Sequence, residues 1–293
     1  MARFVLSAFA DEAGNSIEEQ INALKDNDID FIEPRNIDGK GILTLTDDEL
    51  KAVKEKLDEA GIKVGSLGSP IGKYDITKPF EPHFEQTKRA VEICKILGTE
   101  NIRMFSFFTE DLPLGEVKDE VFARLKKMVE YGKENGVRFC HENESRIYGQ
   151  MPSEVRELLT EIPDMYAIFD AANYRMHDAD IDQGIDATLI RLAYLHIKDA
   201  IYSEQMIVPA GEGEGKIAEV LNKVDKATDG VIYLTLEPHL KTFAAYKDID
   251  KHELKNKYVF NTNREAFDFA ANALKKILKE NGYERNGKNE WTR

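Results

Sequence analysis

Eight short apolar runs punctuate the chain, separated by longer stretches with helical periodicity. The runs are RFVLSAF (3–9), DFIEP (30–34), KVGSLGS (63–69), NIRMFSF (101–107), VRFCHE (137–142), YAIFDA (166–171), LAYLHIK (192–198) and VIYLTLE (231–237). Runs of this kind, bounded by turn residues, predict strands buried on both faces. Between them, segments such as SIEEQINALKDN, TDDELKAVKEKLDEAG and EPHFEQTKRAVEICKILG carry apolar residues at 3.6-residue spacing, acidic first turns and often a closing glycine. These are helix signals. TDDE adds a capping box, with Thr46 as cap and Glu49 three positions on. Strands about 30–40 residues apart, with a helix in each interval, predict a parallel sheet. Eight such units close a (β/α)₈ TIM barrel, and 293 residues suit one; a doubly wound open sheet is the alternative. No Pro/Ser-rich linker or composition break divides the chain, so one domain spanning 1–293 is expected, with a polar, solvated tail at about 282–293.

Charge narrows the function classes. Forty basic against 54 acidic residues give a net charge of −14. A nucleic-acid surface needs clustered Lys and Arg to displace counterions from phosphates, so no such partner is expected. No apolar run approaches the ~18 residues of a membrane span. MARFVLSAFADE has a basic residue and an apolar run like a secretory signal, but it is too short and an acidic pair follows, so it reads as the first strand. Cys94 and Cys140 sit in apolar segments and read as buried thiols rather than a disulfide. A cytoplasmic protein is the expectation for such a composition. GEGEG (211–215) resembles a phosphate-binding glycine loop but does not open a βαβ unit, and its acidity would repel a phosphate.

Barrel active sites lie where the strands end at the C-terminal face. Strand five ends in His141 and Glu142, strand six in Asp170, strand seven carries His196, and strand eight ends in Glu237. A lone glutamate at a strand end is usually solvated, and a lone strand histidine usually packs in the core. Four carboxylate or imidazole groups in equivalent places on successive strands would repel one another unless compensated. A divalent cation resolves the repulsion. An O,O,O,N set suits Mn²⁺, Mg²⁺ or Co²⁺, and can take Zn²⁺. Around this set, Arg35 offers a planar fork for a hydroxyl, carboxylate or phosphate. Lys198 shares a strand face with His196, while His141 and His239 adjoin the glutamates. The segment 239–263 is long for a strand–helix connection and reads as a lid or a subunit interface, with Phe243, Tyr246, Tyr258 and Phe260 as apolar cover.

The stretches GVRFCHEN, IFDAANY, YLHIKDA, PAGEGEGKIAEVL and GVIYLTLEPH, with AFADEAGNSIEEQINALKDNDIDFIEPR at the start, resemble the xylose-isomerase-like TIM barrels. That family includes sugar-phosphate isomerases and epimerases, ketose 3-epimerases and inosose dehydratases. The resemblance covers essentially the whole chain and implies metal ligands at Glu142, Asp170, His196 and Glu237. Many members carry a histidine three residues after the strand-six aspartate; here that place holds Asn173, and His177 lies further on. The endonuclease IV branch needs further ligands and a basic face, and neither is seen. The implied function is metal-dependent isomerisation or epimerisation of a small sugar, sugar acid or sugar phosphate, with carbohydrate as the only expected partner apart from another copy of the chain. One ion, Mn²⁺ first, would polarise a carbonyl and stabilise an enediolate, with Glu142 and Glu237 carrying the proton. A lyase on the same enediolate and a non-catalytic sugar-binding barrel are the other readings.

Overall fold

The computed structural model describes residues 1–109, 112–244, 255 and 257–293. All eight predicted strands are present: β1 Ala2–Ala8, β2 Phe31–Ile32, β3 Lys63–Val64, β4 Asn101–Met104, β5 Arg138–Glu142, β6 Tyr166–Asp170, β7 Leu192–Ile197 and β8 Gly230–Leu236. Helices fill the intervals: α1 Ile17–Asp26, α2 Asp47–Ala60, α3 Glu81–Leu97, α4 Leu114–Glu134, α5 Pro152–Glu161, α6 Ala171–Arg175, α7 Ile181–Thr188, α8 Ile217–Ala227 and α9 Asn263–Glu280. Among the described residues no helix is long and apolar enough to cross a membrane.

The sheet closes, which rules out the open alternative. β1 pairs in parallel with both β8 and β2, β2 with β3, and β4 through β8 with their sequence neighbours. The last seam, between β3 and β4, is made just past β3: Leu67 N–H donates to Asn101 O at 2.8 Å, and Arg103 N–H donates to Leu67 O at 3.0 Å. Closure joins all eight strands into one ring.

Local sequence sets the helix ends. The predicted Thr46/Glu49 box opens α2, and the same device, Ser16 with Glu19, opens α1. Gly61 closes α2 at φ 75°, a left-handed cap that glycine adopts without a Cβ penalty. Apolar helix faces and the outward strand residues form one continuous core between the layers. A smaller group inside the barrel, Cys140, Ile168 and Tyr194, floors the lumen. Cys94 and Cys140 are free and buried, as expected.

The C-terminal tail departs from expectation. β9 Glu284–Arg285 and β10 Trp291–Thr292 form an antiparallel ribbon, and Trp291 pairs with Phe4 of β1. β2 reaches only Ser7 and Ala8 of β1, so the first half of β1 has an unpartnered edge. The ribbon covers that edge and buries the Trp291 ring. Arg293 Nε donates to Asp225 Oδ2 at 2.9 Å, and the same buried aspartate accepts from Ala2 N–H at 2.9 Å, which ties both ends of the chain to α8. The tail is thus structured, with Tyr283 and Trp291 buried and Glu284, Arg285, Lys288 and Asn289 exposed.

Candidate metal centre

Strand register explains why four distant residues meet. Neighbours in a parallel sheet point the same way, and residues two apart on a strand share a face. Glu142 lies opposite Ile168, and Asp170 is two residues past Ile168. Asp170 lies opposite His196, His196 opposite Thr235, and Glu237 is two past Thr235. All four therefore face the lumen at its C-terminal end. Each offers one ligand atom, these atoms lie within 4.8 Å of one another, and all four residues are buried.

His196 sits at the centre. Its Nδ1 is 3.1 Å from Glu142 Oε1 and 3.4 Å from Glu237 Oε2. Arg103 Nη1 donates to Glu142 Oε2 at 3.2 Å, and Arg35 Nη1 to Glu237 Oε1 at 2.9 Å. Lys198 Nζ lies 3.0 Å from Asp170 Oδ2 and 3.4 Å from Glu237 Oε2. The Phe9 ring packs edge-on against His196, and the Arg35 and Arg103 guanidinium groups lie over it at 4.3 and 4.7 Å. Burial pushes the Asp170 carboxyl up to about 7, against the pull of Lys198. Burial raises the Glu142 and Glu237 carboxyls too, but the surrounding cations outweigh it and hold both below the usual range. For His196, burial is overcome by Glu142 and Glu33, which drive the imidazole up.

The residues fit a divalent ion. Three buried carboxylates and an imidazole nitrogen converge, and Asp170 Oδ2 is buried without an aligned donor, a lone pair turned into the cluster. Glu12, Glu237 and His239 also bring ligand atoms within 4.8 Å of one another. There the Arg35 guanidinium lies 3.3 Å from Glu12 and 2.9 Å from Glu237, so that trio already has its cation.

The amide of the strand-five end has a clear task. Asn143 Nδ2 donates to Asp170 O, and its Oδ1 accepts from Asp170 N–H, both at 2.9 Å. This reciprocal pair fixes the end of β5 against the end of β6. Asn173, on the unforeseen short helix α6, donates to Glu142 Oε1 at 3.3 Å and to Asn143 O at 2.9 Å. Where many family members hold a histidine, this chain thus places an amide beside Glu142.

Other expected site residues fall differently. His141 has the opposite parity to Glu142 and faces away from the lumen, with its Nε2 2.9 Å from Ser106 Oγ; burial pushes it down to about 4, against the pull of the Glu142 charge. It is not brought to the site. Arg35 is near, but its fork is turned to carboxylates: Nε and Nη2 donate to the two oxygens of Asp11 at 3.0 Å each. It acts on Glu237 rather than presenting an open fork. Lys198 stands in the cluster. His239 borders it, with Nε2 3.5 Å from Glu237 Oε1 and its backbone N–H donating to Glu12 at 2.8 Å. Phe243 lies over Arg35 at 5.0 Å, whereas Tyr258 and Phe260 pack on Phe269 of α9. Tyr246 and the rest of 245–254, with 256, lie outside the described residues.

Arg103, Asp11, Glu12 and Glu33 join the site through contacts in space. Arg103 did carry a signal, a lone cation inside the apolar run NIRMF. The GEGEG loop is also resolved. Asp199, next to Lys198, accepts N–H donors from Gly211 (2.9 Å), Gly213 (3.1 Å), Gly215 (2.8 Å) and Ala200 (2.9 Å). A Cβ at Gly213 would lie 2.3 Å from Asp199 Oδ1, so glycine is needed for the approach. The amides that could cradle a phosphate already hold an internal carboxylate.

A family model described as xylose isomerase-like TIM barrel matches residues 21–255. The chain belongs to the xylose isomerase-like TIM barrel family. No curated protein matches it in sequence. Among solved structures of the same fold, the probable 3-DHS dehydratase AsbF from Bacillus anthracis superposes with a TM-score of 0.71 at 13% identity, covering 94% of this chain and 99% of that one. L-ribulose 3-epimerase gives 0.68 at 16% identity, with 96% and 97% covered. The IOLI protein with a binding zinc atom gives 0.70 at 15% identity, with 95% and 98% covered. The lumen cluster of this family member stands where TIM barrels place their active sites.

Proposed function

We propose that the protein is a divalent-metal-dependent isomerase or epimerase of a small sugar, sugar acid or sugar phosphate, working by proton transfer through an enediolate. The observation that carries the reading is the buried, lumen-facing set Glu142, Asp170, His196 and Glu237. These four would hold one ion, with Mn²⁺ the first to try. When bound, such an ion polarises a substrate carbonyl and offsets the charge that develops on its oxygen.

The chain's own groups supply the rest. Glu142 and Glu237 are the proposed proton carriers, one removing the proton on carbon and the other returning one. Each is held by a guanidinium, Glu142 by Arg103 and Glu237 by Arg35, which fixes its direction. Positioned general acid–base groups of this kind contribute ~10²–10⁴-fold. Asn173, Lys198 and His239 are the proposed substrate contacts. Glu142 and Glu237 re-equilibrate with solvent between turnovers, so the proton that they return is an exchangeable one.

L-ribulose 3-epimerase among the similar structures favours the epimerase reading. The DHS dehydratase among them supports a second one, a lyase that expels a hydroxyl from the same enediolate.

The test begins with metal analysis of the purified protein and its Asp170→Ala variant. It continues with keto-sugars, sugar acids and inososes incubated in D₂O and followed by NMR and mass. The expected result is bound metal in the native protein only, no loss of water from the product, and a mass raised only by the deuterium placed on carbon. Loss of water from the product would favour the lyase. Turnover with near-complete retention of the substrate's own hydrogen, or full metal and activity in Asp170→Ala, would refute the proposal.

A further inference from the structure

We infer that Glu33 is a positioning residue for this centre: it fixes the His196 ring so that Nδ1 is the atom offered to a metal. The inference rests on the metal reading above and concerns only how this chain prepares one ligand.

A neutral imidazole carries one proton, so one ring nitrogen donates while the other keeps its lone pair. His196 Nδ1 is the nitrogen inside the cluster, between Glu142 Oε1 at 3.1 Å and Glu237 Oε2 at 3.4 Å. To be a ligand it must be unprotonated, which puts the proton on Nε2. A buried N–H requires an acceptor. Glu33 Oε2 supplies it, 3.4 Å from Nε2 on the far side of the ring. Glu33 is fully buried, follows β2, and is not among the four residues whose ligand atoms converge.

Glu33 is itself held. Its Oε1 accepts from the Tyr194 hydroxyl at 2.9 Å, and that hydroxyl lies 2.7 Å from Ser66 Oγ. With the tyrosine proton given to Glu33, the serine hydroxyl becomes the donor to Tyr194. Every proton in the series Ser66, Tyr194, Glu33 then points toward the carboxylate, so Glu33 serves as an acceptor on both oxygens. Tyr194 and His196 are two apart on β7 and share its lumen face, which brings both within reach of one carboxylate. Ring packing works in the same direction: His196 is met edge-on by Phe9 at 5.1 Å and by the tilted ring of Tyr194 at 5.6 Å, so the imidazole has little room to turn over.

Carboxylate partners behind metal-ligating histidines typically change metal affinity by ~10–100-fold when removed. The test uses Mn²⁺ affinity of the full-length protein, measured by calorimetry and by chelator competition, for wild type, Glu33→Gln, Glu33→Ala and Tyr194→Phe. A second readout is the ring ¹⁵N spectrum of Zn²⁺-loaded, ¹⁵N-histidine-labelled protein, with His196 assigned from a His196→Gln sample. The expected result is an affinity loss of ~10–100-fold for Glu33→Ala, smaller losses for Glu33→Gln and Tyr194→Phe, and a wild-type His196 protonated at Nε2. A merely structural role would lower melting temperature without moving the tautomer. If Glu33→Ala does not fold, Glu33→Gln and Tyr194→Phe carry the test. Wild-type affinity in the folded variants, or a metal-loaded His196 protonated at Nδ1, overturns the inference. A wild type that binds no metal overturns it together with the proposed function, whereas unaffected variants of a metal-binding wild type overturn the inference alone.

Discussion

Substituting Asp199 with Asn should cost the fold a large share of its stability while leaving its volume unchanged. The carboxylate is buried and accepts four backbone N–H groups, two at each oxygen: Gly211 and Gly213 at Oδ2, Gly215 and Ala200 at Oδ1. An amide presents its NH₂ to one of those pairs whichever way it turns, so two donors lose their acceptor. A buried group left without a partner costs about 1–3 kcal/mol, and the two together about 2–6 kcal/mol. A domain of this kind has only ~5–15 kcal/mol in all. Urea unfolding should therefore show a markedly lower midpoint at unchanged slope. Gly213→Ala should fail by the same route from the other side, because its Cβ would meet Asp199 Oδ1 at 2.3 Å and Ala200 O at 2.6 Å. Asp199 adjoins Lys198, so the loosened loop should also weaken metal retention. A midpoint shift for Asp199→Asn worth no more than the ~0.5 kcal/mol of an ordinary surface change would refute the view that this carboxylate, and not a bound phosphate, organises the glycine loop.

Asn143→Ala removes the reciprocal pair with the Asp170 backbone, so it should cost about 1–3 kcal/mol per group left unpaired and lower metal occupancy, read by unfolding and by metal analysis; unchanged occupancy would separate strand-end registration from ligand placement. Cys94 and Cys140 should resist thiol reagents in the folded protein, since burial pushes the Cys140 thiol up to about 12 and Cys94 also well above its usual range. Titration of the denatured, unreduced protein should find two thiols, and finding none would reveal a disulfide.

What the sequence revealed and what it hid divide along physical lines. A parallel strand buried on both faces must be an apolar run, and turn residues must bound it, so the eight strands were readable one by one. A charge at the end of such a run is anomalous, and the anomaly recurred at Glu142, Asp170, His196 and Glu237. Parity is legible too: if Glu142 faces the lumen, its neighbour His141 must face the helices, as it does. The tail held a similar signal. Trp291 is the chain's single tryptophan, and an aromatic of that size in a polar segment needs somewhere to be buried.

Pairings through space were not readable, because they depend on closure of the barrel. Arg35 reaches Asp11 and Glu237 at separations of 24 and 202 residues, and Arg103 reaches Glu142 across 39. These contacts change the charge argument that first suggested a metal. Repulsion among unpaired carboxylates was the premise, yet Glu142 and Glu237 each carry an arginine of their own. Lys198 leans on both Asp170 and Glu237, and Asp170 Oδ2 still lacks an aligned donor. Repulsion is therefore already largely offset, and it cannot by itself be the reason for an ion. Geometry supplies the stronger reason. Two arginines hold the outer oxygens of the glutamates, Glu33 stands behind the imidazole, and the inner oxygens, Asp170 Oδ2 and His196 Nδ1 converge on one point, which Lys198 Nζ reaches from the side of Asp170 and Glu237. Guanidinium groups fixed outside and ligand atoms converging inside make the arrangement that a cation site requires.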